Sequence, residues 1–341
     1  MKKLIITGDW HFKGVNPRAR LDNYQEAITR KIHEVFSLAV QTKAEAIIIP
    51  GDLFDSPATT LSTISDLATL LQLTPCPILT IPGNHDLWSA NPGSKYRTPY
   101  GLLARLGLIK DITEGPYGLS PVGEKLLVIT GHGYSVETDT EAGMSQFDLP
   151  SQFKEITEET PFKIQHDIAI HVVHSMLMNH TPGFEMRHTL ISQVKTTAEV
   201  IISGHEHIGF GIVRRDDGVL FINPGAICRT NAGHSEIERQ IQIALLAIDD
   251  NGQTSAELIP LRSALPGSEV LSREHLEVEA DRENRMEKFL SLLASEGESK
   301  FLEVRDIVED LSVRENIPGE VKTEALKRID QAREVLAKAG A

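Results

Sequence analysis

Between Leu4 and about Ile248 the chain alternates short apolar runs with amphipathic stretches, a pattern that predicts a layered α/β architecture. Leu4–Thr7 reads as a strand. Arg20–Lys43 reads as a helix, because Tyr24, Ile28, Ile32, Val35, Phe36 and Ala39 fall on one stripe. Ala46–Pro50 is a continuous apolar run closed by Gly51, as expected of a strand buried on both faces. Leu61–Leu73 predicts the next helix and Pro77–Ile81 the next strand. Further strands are expected at Lys125–Thr130, Ile168–Val173, Val200–Ser203, Val219–Ile222 and Ile241–Ile248, while the polar, weakly patterned residues 134–166 read as a loop.

The pattern changes after Pro266-Gly267. Residues 281–341 carry few strand formers and many Glu, Lys, Arg, Ala and Leu, and three helices suggest themselves. Arg282–Ala294 presents Met286, Phe289, Leu290 and Leu293, and Lys300–Leu311 presents Phe301, Val304, Ile307, Val308 and Leu311. Pro318–Ala339 presents Val321, Ala325, Ile329, Ala332 and Leu336, with Pro318 suited to a helix start. The expected organisation is therefore a main domain over 1–266, a linker over 267–280 and a helical extension over 281–341. Stripes of this kind can pack on their own domain or hold a partner.

Composition narrows the class. The chain has 341 residues, 40% hydrophobic and 24% charged, which is ordinary for a soluble globular protein. No apolar run approaches the length that spans a bilayer, so no membrane association is expected, and the short apolar stretch after Lys2-Lys3 is too brief for a signal peptide. Cys76 and Cys228 are the only cysteines and lie far apart, giving neither a disulfide framework nor a thiolate metal motif. A reducing, cytoplasmic location is the default expectation. The 34 Lys and Arg against 48 Asp and Glu leave a formal net charge of −14. That argues against strong autonomous binding along a duplex, which requires cations to displace counterions from phosphates. It leaves open a site where bound metals supply the positive charge.

Five motifs fall at the ends of expected strands, the usual place for a site on an open α/β sheet. They are Gly8-Asp9-Trp10-His11, Gly51-Asp52-Leu53-Phe54-Asp55, Gly83-Asn84-His85-Asp86, His171-Val172-Val173-His174-Ser175 and Gly204-His205-Glu206-His207. An Asp and a His two apart in extended chain project to one side, so Asp9 and His11 can reach one cation. A carboxylate such as Asp52 directly after a buried strand is costly unless it meets a cation. Any one of these histidines alone would be an ordinary surface or core imidazole. Five such groups at strand ends, four beside a glycine that lets the backbone turn sharply, mark a metal or catalytic site.

The order Asp-x-His, Gly-Asp, Gly-Asn-His-Asp, His and Gly-His-x-His over residues 8–207 resembles the calcineurin-like metallophosphoesterase superfamily. Gly51-Asp52-Leu53-Phe54-Asp55 followed by Ser56-Pro57 is most similar to the SbcD-type DNA repair exonuclease subunit, and the Asn223-Pro224-Gly225-Ala226 turn also recurs in the superfamily. SbcD-type subunits carry a mixed α/β capping domain, whereas this tail reads as almost wholly helical. The resemblance implies a β-sandwich core flanked by helices and two divalent cations. Metal one would take Asp9, His11, Asp52 and His207; metal two would take Asp52, Asn84, His174 and His205, with Asp52 bridging. Nitrogen and oxygen donors suit manganese, iron or zinc, and manganese is the expected metal. Two cations roughly 3.5–4 Å apart can lower the pKa of a shared water and neutralise phosphate oxygens during in-line attack.

Around those ligands, His85 adjoins Asn84 and is expected to stabilise the bound phosphate or protonate the leaving oxygen. Asp86 either holds the His85 ring or caps a turn. His174 is preferred over His171 because it ends its strand. His132 and His188 are candidates to line the pocket, and Arg229 either contacts substrate phosphate or lies on the surface. His33, His166, His234 and His275 read as surface residues. The resemblance points to a phosphodiesterase acting on DNA ends with an SbcC-like coiled-coil ATPase, and to a homodimer for which Tyr96–Leu106 could serve. The same site would equally suit small nucleotides or phosphoproteins, because fold and site do not separate substrates.

Overall fold

The computed structural model describes residues 1–118, 125–150, 168–274, 308–309, 312 and 317–339. The chain divides into two compact units, Met1–Arg273 and Glu274–Ala341. The first contains two six-stranded mixed sheets flanked by helices.

In the first sheet, β1 (Lys2–Ile6), β2 (Ala46–Ile49), β3 (Ile78–Thr80) and β4 (Lys110–Asp111) run parallel. Along the other edge of β1, β13 (Gln242–Ile248) pairs antiparallel and β14 (Thr254–Pro260) closes the sheet. The second sheet has β6 (Leu127–His132), β7 (Ile168–Ser175), β10 (Val200–His205) and β12 (Leu220–Asn223) in parallel, in the order β12-β10-β7-β6. Antiparallel β11 (Gly211–Arg214) and β5 (Tyr117–Gly118) form its edges. A small parallel pair, β8 (Leu177–Met178) with β9 (Thr189–Leu190), follows β7.

Side-chain alternation explains how the sheets layer. Leu4 and Ile6 of β1 and Ile48 of β2 join Ile129, Ile170, Val172, Val200, Ile202 and Ile222 of the second sheet in one apolar core. Ile5, Ile47 and Ile49, one residue out of step, face the opposite way into a core with the helices. Val128, Ala169, Ile201 and Phe221 face a third cluster. Both faces of the central strands are covered, which is why they read as continuous apolar runs.

Helix α1 (Tyr24–Thr42) begins where the Asn23 side chain accepts from Glu26 N, and it ends at Lys43 in the left-handed conformation. The expected start at Arg20 lies before this cap. Its buried stripe contains every apolar position expected of it, together with Lys31. Helix α2 (Leu61–Leu71) is capped by Thr60, and a short α3 (Pro99–Arg105) starts at a proline within the segment considered for dimerisation. Helix α4 (His234–Glu238) follows the second sheet. Strand β14 escapes sequence reading because its burial alternates weakly along a sheet edge.

Residues 267–273 belong to the first unit. Gly267–Val270 forms a short α5, and Val270 and Leu271 are buried. Leu21 N donates to Val270 O and Ser272 N to Ala19 O, so hydrogen bonding carries the first unit past residue 266. Of the expected loop 134–166, residues 142–147 form a 3₁₀ turn and 151–167 lie outside the described residues. The second unit contains α6 (Gly319–Ala339), matching the expected third tail helix. The other two expected tail helices, 282–294 and 300–311, lie outside the described residues save for 308 and 309. Among the described residues no helix is long and apolar enough to cross a membrane.

Candidate metal centre

The carboxyl ends of β1, β2, β3, β7 and β10 converge. Asp9 and His11 follow β1, Asp52 follows β2, Asn84 follows β3, His174 lies at the end of β7, and His205 closes β10. The sharp turns this requires are visible in the backbone. His11, Asp52 and His205 have φ of 43°, 49° and 73°, a left-handed conformation that costs non-glycine residues energy and clusters at functional sites. Gly51 has φ of 108°, and a Cβ there would lie 2.3 Å from His174 Nδ1. The glycines of the motifs thus admit close-packed ligand side chains as well as the turns.

All seven expected ligands meet in one cluster. His11 Nε2 and His207 Nε2 face each other at 3.0 Å, and His207 Nε2 lies 3.4 Å from Asp9 Oδ2. On the other side His174 Nε2 is 3.0 Å from Asn84 Oδ1, and the His174 and His205 rings are 4.9 Å apart. Asp52 stands between the halves: its Oδ2 is 3.4 Å from His11 Nε2 and 3.3 Å from His174 Nε2. Asp52 Oδ2 and His11 Nδ1 are buried atoms without a hydrogen-bond partner. Desolvated polar atoms are seldom left so, and cations would satisfy both the carboxylate and the facing imidazoles. The donors present fit divalent metal ions.

The electrostatics favour positive charge here. Burial pushes the Asp52 carboxyl up, but the charges of His174, His11 and His85 close by hold it far below the usual carboxylate range. Burial likewise opposes ionisation of Asp9, and the His207 hydrogen bond with the His174 and His207 charges outweighs it, lowering its pKa. Burial would lower the His174 imidazole, yet the Asp52 carboxylate lifts it to about 10. Burial and the neighbouring His174 charge press His205 down to about 4, so it is neutral, the form that ligates metal.

The surrounding candidates divide. His85 packs edge-on to His11 at 4.7 Å between ring centroids, its backbone N donates to Asp52 Oδ1 at 2.8 Å, and its ring is exposed. The Asp55 carbonyl accepts from His85 Nδ1 at 2.8 Å. Asp86 therefore does not hold the His85 ring. It is buried and accepts from the backbone N of Gly83, Leu53 and Phe54, tying the Asp52 loop to the Asn84 loop. Of the two roles considered for it, the turn-holding one matches these bonds. His171 is buried between Thr130 Oγ1 and Gln146 O, away from the cluster bonds. His132 Nδ1 bonds Gly133 O and His188 Nδ1 bonds Met186 O, backbone partners outside the seven residues.

Arg229 departs from the expected surface role. It is 4% exposed, and its guanidinium donates to the carbonyls of Glu236, Leu265 and Arg239. Three of its five N–H donors are thus committed to backbone carbonyls. Sequence reading assigns no part to three residues that do reach the cluster. Asp55 Oδ1 lies 3.3 Å from His11 Nδ1, and Tyr134 packs on His205 at 5.5 Å. Cys228 Sγ lies within 4.8 Å of imidazole nitrogens of His11 and His207. Asp55 sits inside the second motif and Tyr134 two residues from His132, so proximity to a motif was the available signal.

The family model for calcineurin-like phosphoesterases matches residues 2–209. No match is found among curated proteins. Among solved structures, a putative 5'-nucleotidase from Staphylococcus aureus is similar at 16% identity and TM-score 0.44, covering 76% of this chain and 54% of that one. An archaeal phosphodiesterase is similar at 14% identity and TM-score 0.35, covering 75% of this chain and 99% of that one. Haemophilus influenzae NAD nucleotidase is similar at 13% identity and TM-score 0.44, covering 76% and 49%. The chain spans about half the length of the first and last of these.

Proposed function

The chain belongs to the calcineurin-like phosphoesterase family, and from that premise we propose that it is a two-cation phosphodiesterase. Asp9, His11, Asp52 and His207 would hold one divalent ion, and Asp52, Asn84, His174 and His205 the other. The observation that carries this reading is Asp52 Oδ2, buried without a hydrogen bond and facing a histidine of each half. Bound metals supply Lewis acidity toward phosphate oxygens and lower the pKa of water.

The chain's own residues supply positioning and a proton. Asp86 locks the Asp52 and Asn84 loops together through three backbone bonds, fixing two ligands before any ion binds. Because a carbonyl only accepts, the Asp55 bond places a hydrogen on His85 Nδ1. Nε2 of the imidazolium is then the atom that donates to the leaving oxygen.

For the substrate, the Gly51–Asp55 motif with Ser56-Pro57 supports DNA ends, processed with an SbcC-like coiled-coil ATPase that supplies the cations this chain lacks. In that reading the segment after Arg273 holds the ATPase, as amphipathic helices can. The net charge of −14 favours a second reading, a small nucleotide diester that needs no basic groove. A manganese-dependent panel of linear duplex, single-stranded DNA, cyclic nucleotides and an aryl diester separates the two. Hydrolysis of at least the aryl diester, abolished by chelator, is expected. No hydrolysis with manganese, iron or zinc would refute the phosphodiesterase reading.

A further inference from the structure

Beside the metal cluster lies a pocket of about 460 Å³, within the size range of small-molecule sites. Its two walls grow out of two ligand-bearing strands. From His174 the chain passes Met176, which bridges to His205, and enters Leu177–Met178 and then Asn179. From His205 the chain passes through Glu206 to Ile208 and Phe210, which line the same pocket, with His207 between Glu206 and Ile208. Consecutive Cα atoms are about 3.8 Å apart, so the wall begins within one residue of two candidate ligands.

The lining restricts what can enter. Met178, Ile208 and Phe210 offer apolar and aromatic surface, and Ile208 is 39% exposed. Among the described residues no Lys or Arg lines the pocket, and the one basic side chain there is the exposed imidazole of His180. The Glu206 carboxylate already accepts from the backbone N of Ile208 at 3.0 Å and Gly209 at 2.5 Å. Asn179 contributes an amide, whose Oδ1 is 2.7 Å from His180 Nδ1. An uncharged planar ring with polar edges matches this combination. It can stack on the aromatic wall and meet the amide with its edge, as bases do on protein side chains.

We propose that this pocket binds the nucleobase attached to the scissile phosphate, so that the substrate is a nucleoside phosphodiester read one base at a time. The proposal rests on the phosphodiesterase reading and adds the substrate's recognised group. It holds for a terminal nucleotide of a strand or for a free nucleotide, since one base fills the pocket in either case.

The test compares two esters with the same leaving group. One is the p-nitrophenyl ester of thymidine 5'-monophosphate; the other is methyl p-nitrophenyl phosphate, which has no base. Wild-type protein with manganese should favour the nucleoside ester, chiefly through KM. Phe210→Ala should lower that preference by about 5- to 150-fold, the span of one base–aromatic stack. Phe210 also packs against the third apolar cluster. Phe210→Leu, which keeps apolar volume without the ring, and Asn179→Ala on the exposed rim are therefore measured beside it, and each should lower the preference. Calorimetric titration of the wild type with thymidine 5'-monophosphate should show binding that weakens in all three variants. Hydrolysis of the methyl ester with no preference for the nucleoside ester, or a preference unchanged in the variants, would overturn the pocket and leave the phosphodiesterase standing. Hydrolysis of neither ester would instead fell the phosphodiesterase reading, and the pocket's role with it.

Discussion

Lys31 gives a stability signature that can be worked from the structure. It lies on the buried stripe of α1, 4% exposed, and its Nζ donates to Ile227 O at 2.6 Å. Burial lowers its pKa from 10.5 to about 7; the nearby Cys228 works against that, while Arg20, Arg229 and Arg239 add to it. The folded pKa lies below the unfolded one, so the unfolded chain binds more protons between those values. The destabilisation is full below about pH 7 and is relieved as pH rises toward 10.5. At about 1.4 kcal/mol per pKa unit, the linkage relation gives wild type a gain of about 2 kcal/mol between pH 7 and 9 from this group alone. Lys31→Met removes the titration and retains most of the apolar volume. Its other effects, including the donor lost to Ile227 O, are constant over this range and cancel in the comparison. Urea unfolding of both proteins at pH 7 and 9 reads the difference of differences. Equal pH dependence in wild type and Lys31→Met would show that Lys31 does not carry a displaced pKa. Ile227 N also donates to Asp9 O, so Lys31 supports the segment behind a candidate ligand.

Three further outcomes are expected. Asp52→Ala should remove most bound metal along with activity, because Asp52 faces both halves of the cluster; elemental analysis finding two metals per chain would refute the assignment. His85→Ala should keep both metals and lose roughly 10²–10⁴-fold in turnover, whereas stoichiometric metal loss would make His85 a ligand. Arg229→Ala should cost about 3 kcal/mol or more, since three carbonyls lose a buried donor. Thermal denaturation measures that cost, and a higher KM in a variant of wild-type stability would restore a phosphate contact.

What could be read from sequence was whatever local pattern controls. The apolar runs of β1, β2, β7 and β10 are buried on both faces, so their composition alone marks them, and the motifs at their ends needed only the rule that such ends converge. Strand β14 shows the limit: three of its seven residues are exposed at a sheet edge and none is buried, and Thr-Ser-Ala-Glu carries no period that a loop could not share. Helix α1 shows another, since its stripe was visible but its start was fixed by one side chain, Asn23, accepting from Glu26 N.

Side-chain roles near the site were less legible, because they depend on where the donors go. Arg229 follows the Asn223–Ala226 turn and carries the planar fork that phosphate recognition uses, yet carbonyls from residues 236, 239 and 265 engage all three of its nitrogens. Arg239 does the same for the carbonyls of Ala226 and Cys228, as Lys31 does for Ile227. Three successive carbonyls thus point at buried cations, while Ala226 N donates to His207 O and Ile227 N to Asp9 O. The 226–228 segment is held on one side by positive charge and on the other binds the backbone of two candidate ligands from opposite sheets. Its basic residues therefore set the spacing of Asp9 and His207 without touching them. That arrangement joins residues about 200 positions apart, and no local pattern in the chain encodes it.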